Sequence, residues 1–81
     1  MISIIIPAYN NDTIKGAINS ILKQKGSNLE IIIVDDSMDN KVKHTINNIN
    51  HPDIKYYKNK KSLGTALSRT RGIKIARGDY I

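Results

Sequence analysis

The chain has 81 residues, 40% of them hydrophobic and 25% charged, with no cysteine and a formal net charge of +6. This composition excludes a disordered chain, and the missing cysteines exclude a miniprotein stapled by disulfides or a cysteine zinc site. Residues 1–40 carry three Lys against five acids, a balance of −2, whereas residues 41–81 carry seven Lys and three Arg against two acids, a balance of +8; such a basic half suits nucleic acid, anionic headgroups or a nucleotide diphosphate, or is plain solvated surface.

Ile2-Ser3-Ile4-Ile5-Ile6 is a nearly continuous β-branched run, the pattern of a strand buried on both faces of a parallel sheet, and Pro7 suits its end. The run is too short to span a membrane and lacks the basic flank of a signal peptide, so the expected location is the cytoplasm. After the polar turn Ala8 to Asp12, Ile14, Ala17, Ile18, Ile21 and Leu22 repeat at helical spacing, predicting a helix over residues 12–25 that stops at Gly26 behind Lys23 and Lys25. Leu29 to Val34 is a second strand, ending in the acidic cluster Asp35-Asp36-Ser37-Met38-Asp39, where Asp39 suits a helix N-cap. A weaker helix carries Val42, Ile46 and Ile49 and ends at His51-Pro52. Ile54 to Tyr57 is a third strand, Lys58 to Leu63 a basic loop, and Gly64 opens a third helix through Leu67, Ile73 and Ala76 that Gly78 stops. Tyr80-Ile81 starts a fourth strand. The alternation βαβαβαβ predicts an α/β fold on a mostly parallel sheet, and a chain stopping within its fourth strand reads as a truncated piece.

In open parallel sheets ligands bind beyond the carboxyl ends of the strands. The loops Pro7–Asp12, Asp35–Asn40 and Lys58–Gly64 meet there, bringing an aromatic, a carboxylate pair and cations to one rim. Such a rim can hold a nucleotide: Tyr9 stacking on the base, a carboxylate accepting from base or ribose, cations facing phosphates. Asp35 and Asp36 are adjacent at a strand end and point to opposite sides, so one faces the cleft, and Asp36 lies further out. Tyr56 and Tyr57 read as strand packing. Arg69 and Arg71 are two apart on a helix and face different ways, so that one can serve a ligand while the other is solvated. The first βα turn has no glycine and no P-loop occurs, which disfavours nicotinamide enzymes and ATPases. His44 and His51 lack convergent soft ligands and read as surface residues.

Three blocks of the chain form a pattern. Ile4-Ile5-Ile6-Pro7-Ala8-Tyr9-Asn10 is followed by Val34-Asp35-Asp36-Ser37-Met38-Asp39-Asn40, and then by Gly64, Ser68-Arg69-Thr70-Arg71-Gly72 and Ala76-Arg77-Gly78-Asp79-Tyr80-Ile81. In this order the chain resembles the N-terminal part of family-2 inverting glycosyltransferases. The resemblance implies the Rossmann-like, three-layer α/β/α half-domain of the GT-A fold with its fourth strand truncated, and makes residues 1–81 the donor-nucleotide-binding part of a longer enzyme. It implies transfer of a sugar from a nucleotide-diphosphate donor to an acceptor hydroxyl, as in cell-surface polysaccharide assembly. Carried over position by position, Tyr9 borders the base, Asp36 binds it, Pro7 and Asn10 shape the first loop, and Arg69 lies near the nucleotide. Ser68 and Thr70 depart from the usual Ala and Asn around Arg69, and the acid usual after the first motif is delayed to Asp12.

The same resemblance places the Asp-x-Asp motif for a divalent metal (Mg or Mn) and the general base beyond Ile81, so no catalytic or metal-binding residue is assigned here and the piece alone is expected to be inactive. The implied partners are a nucleotide sugar and, for the longer enzyme, an acceptor glycan or lipid-linked acceptor. Peripheral contact with the inner face of a membrane through basic surface, and self-association through sheet edges, are further expectations. The alternative is a non-enzymatic basic α/β module for nucleic acid or membrane, resting on the four Lys and two Tyr between Lys55 and Lys61, although no nucleic-acid motif accompanies them. A phospho-acceptor domain is a weaker third reading, since Ile33-Val34-Asp35-Asp36-Ser37 follows a complete βα unit instead of opening the fold.

Overall fold

A computed structural model describes residues 1–9, 14–24 and 28–80. The elements alternate in the expected order: β1 (Ile2–Ala8), α1 (Ile14–Gln24), β2 (Leu29–Asp35), α2 (Lys41–Ile49), β3 (Ile54–Lys58), α3 (Thr65–Ile75) and β4 (Asp79–Tyr80). All four strands are parallel, in the spatial order β3-β2-β1-β4. The chain therefore builds outward from β1 to β3 on one side and then returns to place β4 on the other. That reversal creates a switch point at the carboxyl end of β1.

Isoleucine-rich strands make this sheet because both of its faces are covered. On one face Ile31 and Ile33 of β2 and Ala8 of β1 pack with Ile14 and Ile18 of α1 and Val42 and Ile46 of α2. On the other, Ile5, Ile32 and Val34 pack with Tyr57 and with Ile75 and Ala76 at the end of α3. The result is the three-layer α/β/α arrangement. Pro7 lies within β1 instead of after it, paired with Val34. Among the described residues β4 pairs with Ile2 and Ser3, and Pro7 lies next to the last residue of β1, near the strand end where a missing N–H is best tolerated.

α3 is the least obvious helix in the sequence. Its apolar residues Leu67 and Ile73 are 57% and 38% exposed, while the buried positions are Ser68 and Gly72. Small residues face inward because the helix lies close on the sheet. A Cβ at Gly72 would stand 2.5 Å from Ile5 Cγ2 and 3.3 Å from Val34 Cγ2. Gly64, the residue before the helix, has φ +86°, a conformation that glycine adopts without steric cost.

The ends of α2 differ in detail from expectation. Asn40 holds the N-cap position but makes no side-chain cap bond. Asp39 instead accepts from Lys41 N–H at 3.1 Å, so the carboxylate caps from one residue further out. The helix closes at Asn50, which is left-handed at φ 48° and donates its N–H to Ile46 O at 3.0 Å, a favourable asparagine C-cap. The proposed stop at Gly26 and the start at residues 12–13 lie outside the described residues.

A polar rung crosses the amino-terminal end of the sheet. The Glu30 carboxylate, 1% exposed, accepts from Lys55 Nζ of β3 at 2.8 Å, Ser3 Oγ of β1 at 2.5 Å and Arg77 N–H at 2.8 Å. Ser3 Oγ in turn accepts from Gly78 N–H at 3.0 Å, just before β4. Burial pushes the Glu30 carboxyl up, but the bonds from Lys55, Ser3 and Arg77 outweigh it and hold the group at about 2.

Candidate functional site

β1 and β2 end side by side, and the β3–α3 loop folds over their carboxyl ends. The cleft enclosed there has a volume of about 270 Å³ and is lined by Pro7, Ala8, Tyr9, Asp36, Ser62, Gly64, Thr65 and Ser68. Of the residues expected at a nucleotide site, Pro7, Tyr9 and Asp36 are thus brought together. Tyr9 is 60% exposed, presenting its ring at the rim. Asn10 lies outside the described residues. Arg69 is exposed on α3 and does not line the cleft.

The two adjacent aspartates do different work because the pleat sends them to opposite faces. Asp35 turns toward the α1/α2 layer and accepts from Ser37 N–H at 2.9 Å, from Ser37 Oγ, and from Tyr56 Oη at 2.5 Å. Burial, then the Asp35 hydrogen bond and charge, push the Tyr56 phenol above its ordinary value. Tyr56 is therefore packing, with a buried polar tie at its tip.

Asp36 turns toward α3 and the cleft. Its Oδ1 accepts from Asn59 Nδ2 at 2.9 Å and Leu63 N–H at 2.7 Å, and its Oδ2 from Ser62 Oγ at 3.0 Å and Gly64 N–H at 2.9 Å. Burial raises this carboxyl, yet the four donors together hold it at about 2. Near neutral pH it is an ionised acceptor on the cleft wall. Asp36 thus both lines the cleft and organises the loop that closes it.

Sequence reasoning missed the residues behind Asp36. Asn59, 5% exposed, donates from the same Nδ2 to Ser68 Oγ at 2.9 Å and accepts from Arg71 Nη1 at 2.5 Å. Arg71 also donates to Lys58 O at 3.2 Å. Of the two helix arginines it is therefore Arg71 that is tied to the site. Ser68, which departs from the resembled pattern, is fully buried and supplies a polar contact that alanine would lack. A signal was present in that departure: a hydroxyl on the inward face of a helix implies a buried partner.

The basic run splits in the same way. Lys55 is bound to Glu30 and Lys58 Nζ donates to Asp39 O, leaving Lys60 and Lys61 exposed. His44 is exposed, while His51 Nδ1 accepts from Asp53 N–H at 3.1 Å. Among the described residues there is no group of three or more His, Cys, Asp or Glu side chains that could hold a metal ion. Among the same residues no helix is long and apolar enough to cross a membrane.

The chain is thus an all-parallel α/β sheet whose switch point carries an ionised carboxylate and an exposed aromatic ring. Comparison with known proteins identifies its family. The family model described as Glycosyl transferase family 2 matches residues 3–81, and the chain belongs to this family. It is 44% identical, over its whole length, to the UDP-Glc:alpha-D-GlcNAc-diphosphoundecaprenol beta-1,3-glucosyltransferase WfaP of Escherichia coli, covering 33% of that protein. It is 33% identical to WfgD of Escherichia coli, which bears the same description, covering all of this chain and 32% of that protein. It is also 36% identical to the putative colanic acid biosynthesis glycosyl transferase WcaA of Escherichia coli, covering all of this chain and 30% of that protein. The chain spans about a third of the length of each of these three relatives.

Proposed function

We propose that residues 1–81 form the donor-nucleotide-recognising part of a glycosyltransferase, which transfers a sugar from a nucleoside-diphosphate donor to an acceptor hydroxyl. The observation that carries this reading is the cleft at the ends of β1 and β2, where an ionised, buried Asp36 faces the same space as the exposed ring of Tyr9. A carboxylate that only accepts selects a ligand edge that donates, such as the N–H groups of a base, and the ring offers a stacking platform. Pro7 lines the cleft, and Arg69, exposed outside that lining, would with the exposed Lys60 and Lys61 add positive charge around the diphosphate.

The relatives named for UDP-Glc make a uridine nucleotide the first candidate, and their diphosphoundecaprenol acceptor makes a lipid-linked acceptor the parallel expectation. Such an acceptor would draw the whole enzyme to a membrane surface. An inverting transfer needs a base on the acceptor oxygen and charge stabilisation of the leaving diphosphate. Neither role is assigned to residues 1–81, so this stretch binds donor without turning it over. The alternative basic module is less favoured, because Lys55 and Lys58 are held within the fold.

Titration of the chain with UDP, followed by two-dimensional NMR, tests the reading. Shifts concentrated at Tyr9, Asp36 and the Ser62–Thr65 loop are expected. A folded sample whose spectrum is unchanged at millimolar UDP overturns it.

A further inference from the structure

A carboxylate has two oxygens and about four lone-pair directions. At Asp36 all four are occupied from within the chain, by Asn59, Ser62, Leu63 and Gly64. A nucleotide that donates to Asp36 must therefore displace one of these donors. They are not equally replaceable. The Asn59 amide is buried and fixed by Ser68 and Arg71. The Leu63 and Gly64 donors are backbone groups leading directly into α3, and moving them unseats the start of that helix. Ser62 is an exposed residue, its bond is the longest of the four at 3.0 Å, and it lines the cleft. One rotation about χ1 carries its hydroxyl into water at small cost.

We propose that the Ser62 hydroxyl is an internal stand-in for the ligand: it occupies Asp36 Oδ2 in the free chain and is displaced into solvent when a nucleotide donates to that oxygen. This inference rests on the nucleotide reading and adds a regulatory element to it. Ser62 sets affinity by competing for the carboxylate, while Asn59, Leu63 and Gly64 hold the carboxylate and loop in place throughout. The exchange is one donor for another, so the charge on Asp36 is unchanged.

The test compares UDP affinity among the wild-type chain and its Ser62→Ala, Ser62→Thr and Asp36→Asn variants, each first shown to be folded by circular dichroism. Removing the competing hydroxyl is expected to tighten UDP binding roughly tenfold, the scale of one hydrogen bond to a charged group after water takes its place. Ser62→Thr keeps a hydroxyl and should bind within about twofold of wild type on the same reasoning. The amide signals of Leu63 and Gly64 should remain those of hydrogen-bonded groups with UDP bound. If Ser62→Ala binds UDP as wild type does or more weakly, while Asp36→Asn abolishes binding, the stand-in role is overturned and the nucleotide reading survives. If no folded variant binds UDP, both fall.

Discussion

Asn59 donates its side-chain amide to Asp36 across 2.9 Å, joining the end of β3 to the end of β2 on the cleft side of the sheet. The same nitrogen reaches Ser68 on α3, so one buried amide sets the spacing of two strands and a helix. Replacing Asp36 by Asn leaves this arrangement with an amide facing other donors. Asp36→Asn should therefore destabilise the chain by about 1–3 kcal/mol in urea denaturation, because buried N–H groups lose their acceptor. It should also weaken UDP binding at least tenfold by isothermal titration, the cost of removing a charged acceptor. Unchanged stability and affinity would show that the carboxylate neither holds the loop nor meets the ligand.

Gly72→Ala sets helix propensity against packing. Alanine favours a helix interior by about 1 kcal/mol over glycine. The new methyl, however, would meet Ile5 Cγ2 at 2.5 Å and Val34 Cγ2 at 3.3 Å, on stiff β-branched side chains. Overpacking of this kind costs about 1–3 kcal/mol, so the variant should be less stable than wild type by thermal denaturation. A raised melting temperature would show that α3 can lift off the sheet without penalty.

Acid should loosen the chain between pH 4.5 and about 2. Glu30 falls from an ordinary 4.5 to about 2, and Asp36 from 3.8 to about 2. The unfolded chain thus binds more protons in this window, and stability drops as pH is lowered through it. Shifts of this size between folded and unfolded chain correspond to about 2–3 kcal/mol per buried group. Denaturation midpoints measured across this range should fall, and Glu30→Gln should flatten part of the slope. A pH-independent midpoint would remove both carboxylates from the stability account.

Tyr56→Phe isolates the tie to Asp35. Losing the hydroxyl leaves a buried carboxylate with one donor fewer, at a cost of about 1–2 kcal/mol. In the wild-type chain the Tyr56 phenol is pushed above its ordinary 10. The unfolded chain therefore loses this proton first, and stability should decline as pH rises beyond 10. Ultraviolet titration of phenolate in the wild type and in Tyr56→Phe checks the assignment.

The strands were readable because Ile31–Val34 is an unbroken apolar run and Ile2–Ile6 is interrupted only by Ser3, a pattern that suits a sheet covered on both faces. The side-by-side placement of Pro7, Tyr9 and Asp36 followed from strand polarity. What the letters did not carry was the identity of the donors around Asp36. Ser62, Leu63 and Gly64 lie 26 to 28 positions away along the chain, and their contact depends on how the loop doubles back. Leu67 and Ile73 misled for a related reason. Close approach of helix to sheet favours the smallest side chains at the contact, so hydrophobicity marks the wrong face of α3. Choosing between Arg69 and Arg71 likewise required knowing which turn of the helix faces Asn59.

The rung through Lys55, Glu30, Ser3 and Gly78 touches β3 at one margin of the sheet and the segment entering β4 at the other. Opening either margin leaves the same central carboxylate short of a donor, Lys55 on one side and Arg77 N–H on the other, so fraying of the two is coupled. Amide protons at the start of β3 and around Gly78 should accordingly exchange with solvent at matched rates, although the full width of the sheet separates them. The outer strands β3 and β4 are in this sense a single unit, joined by one glutamate.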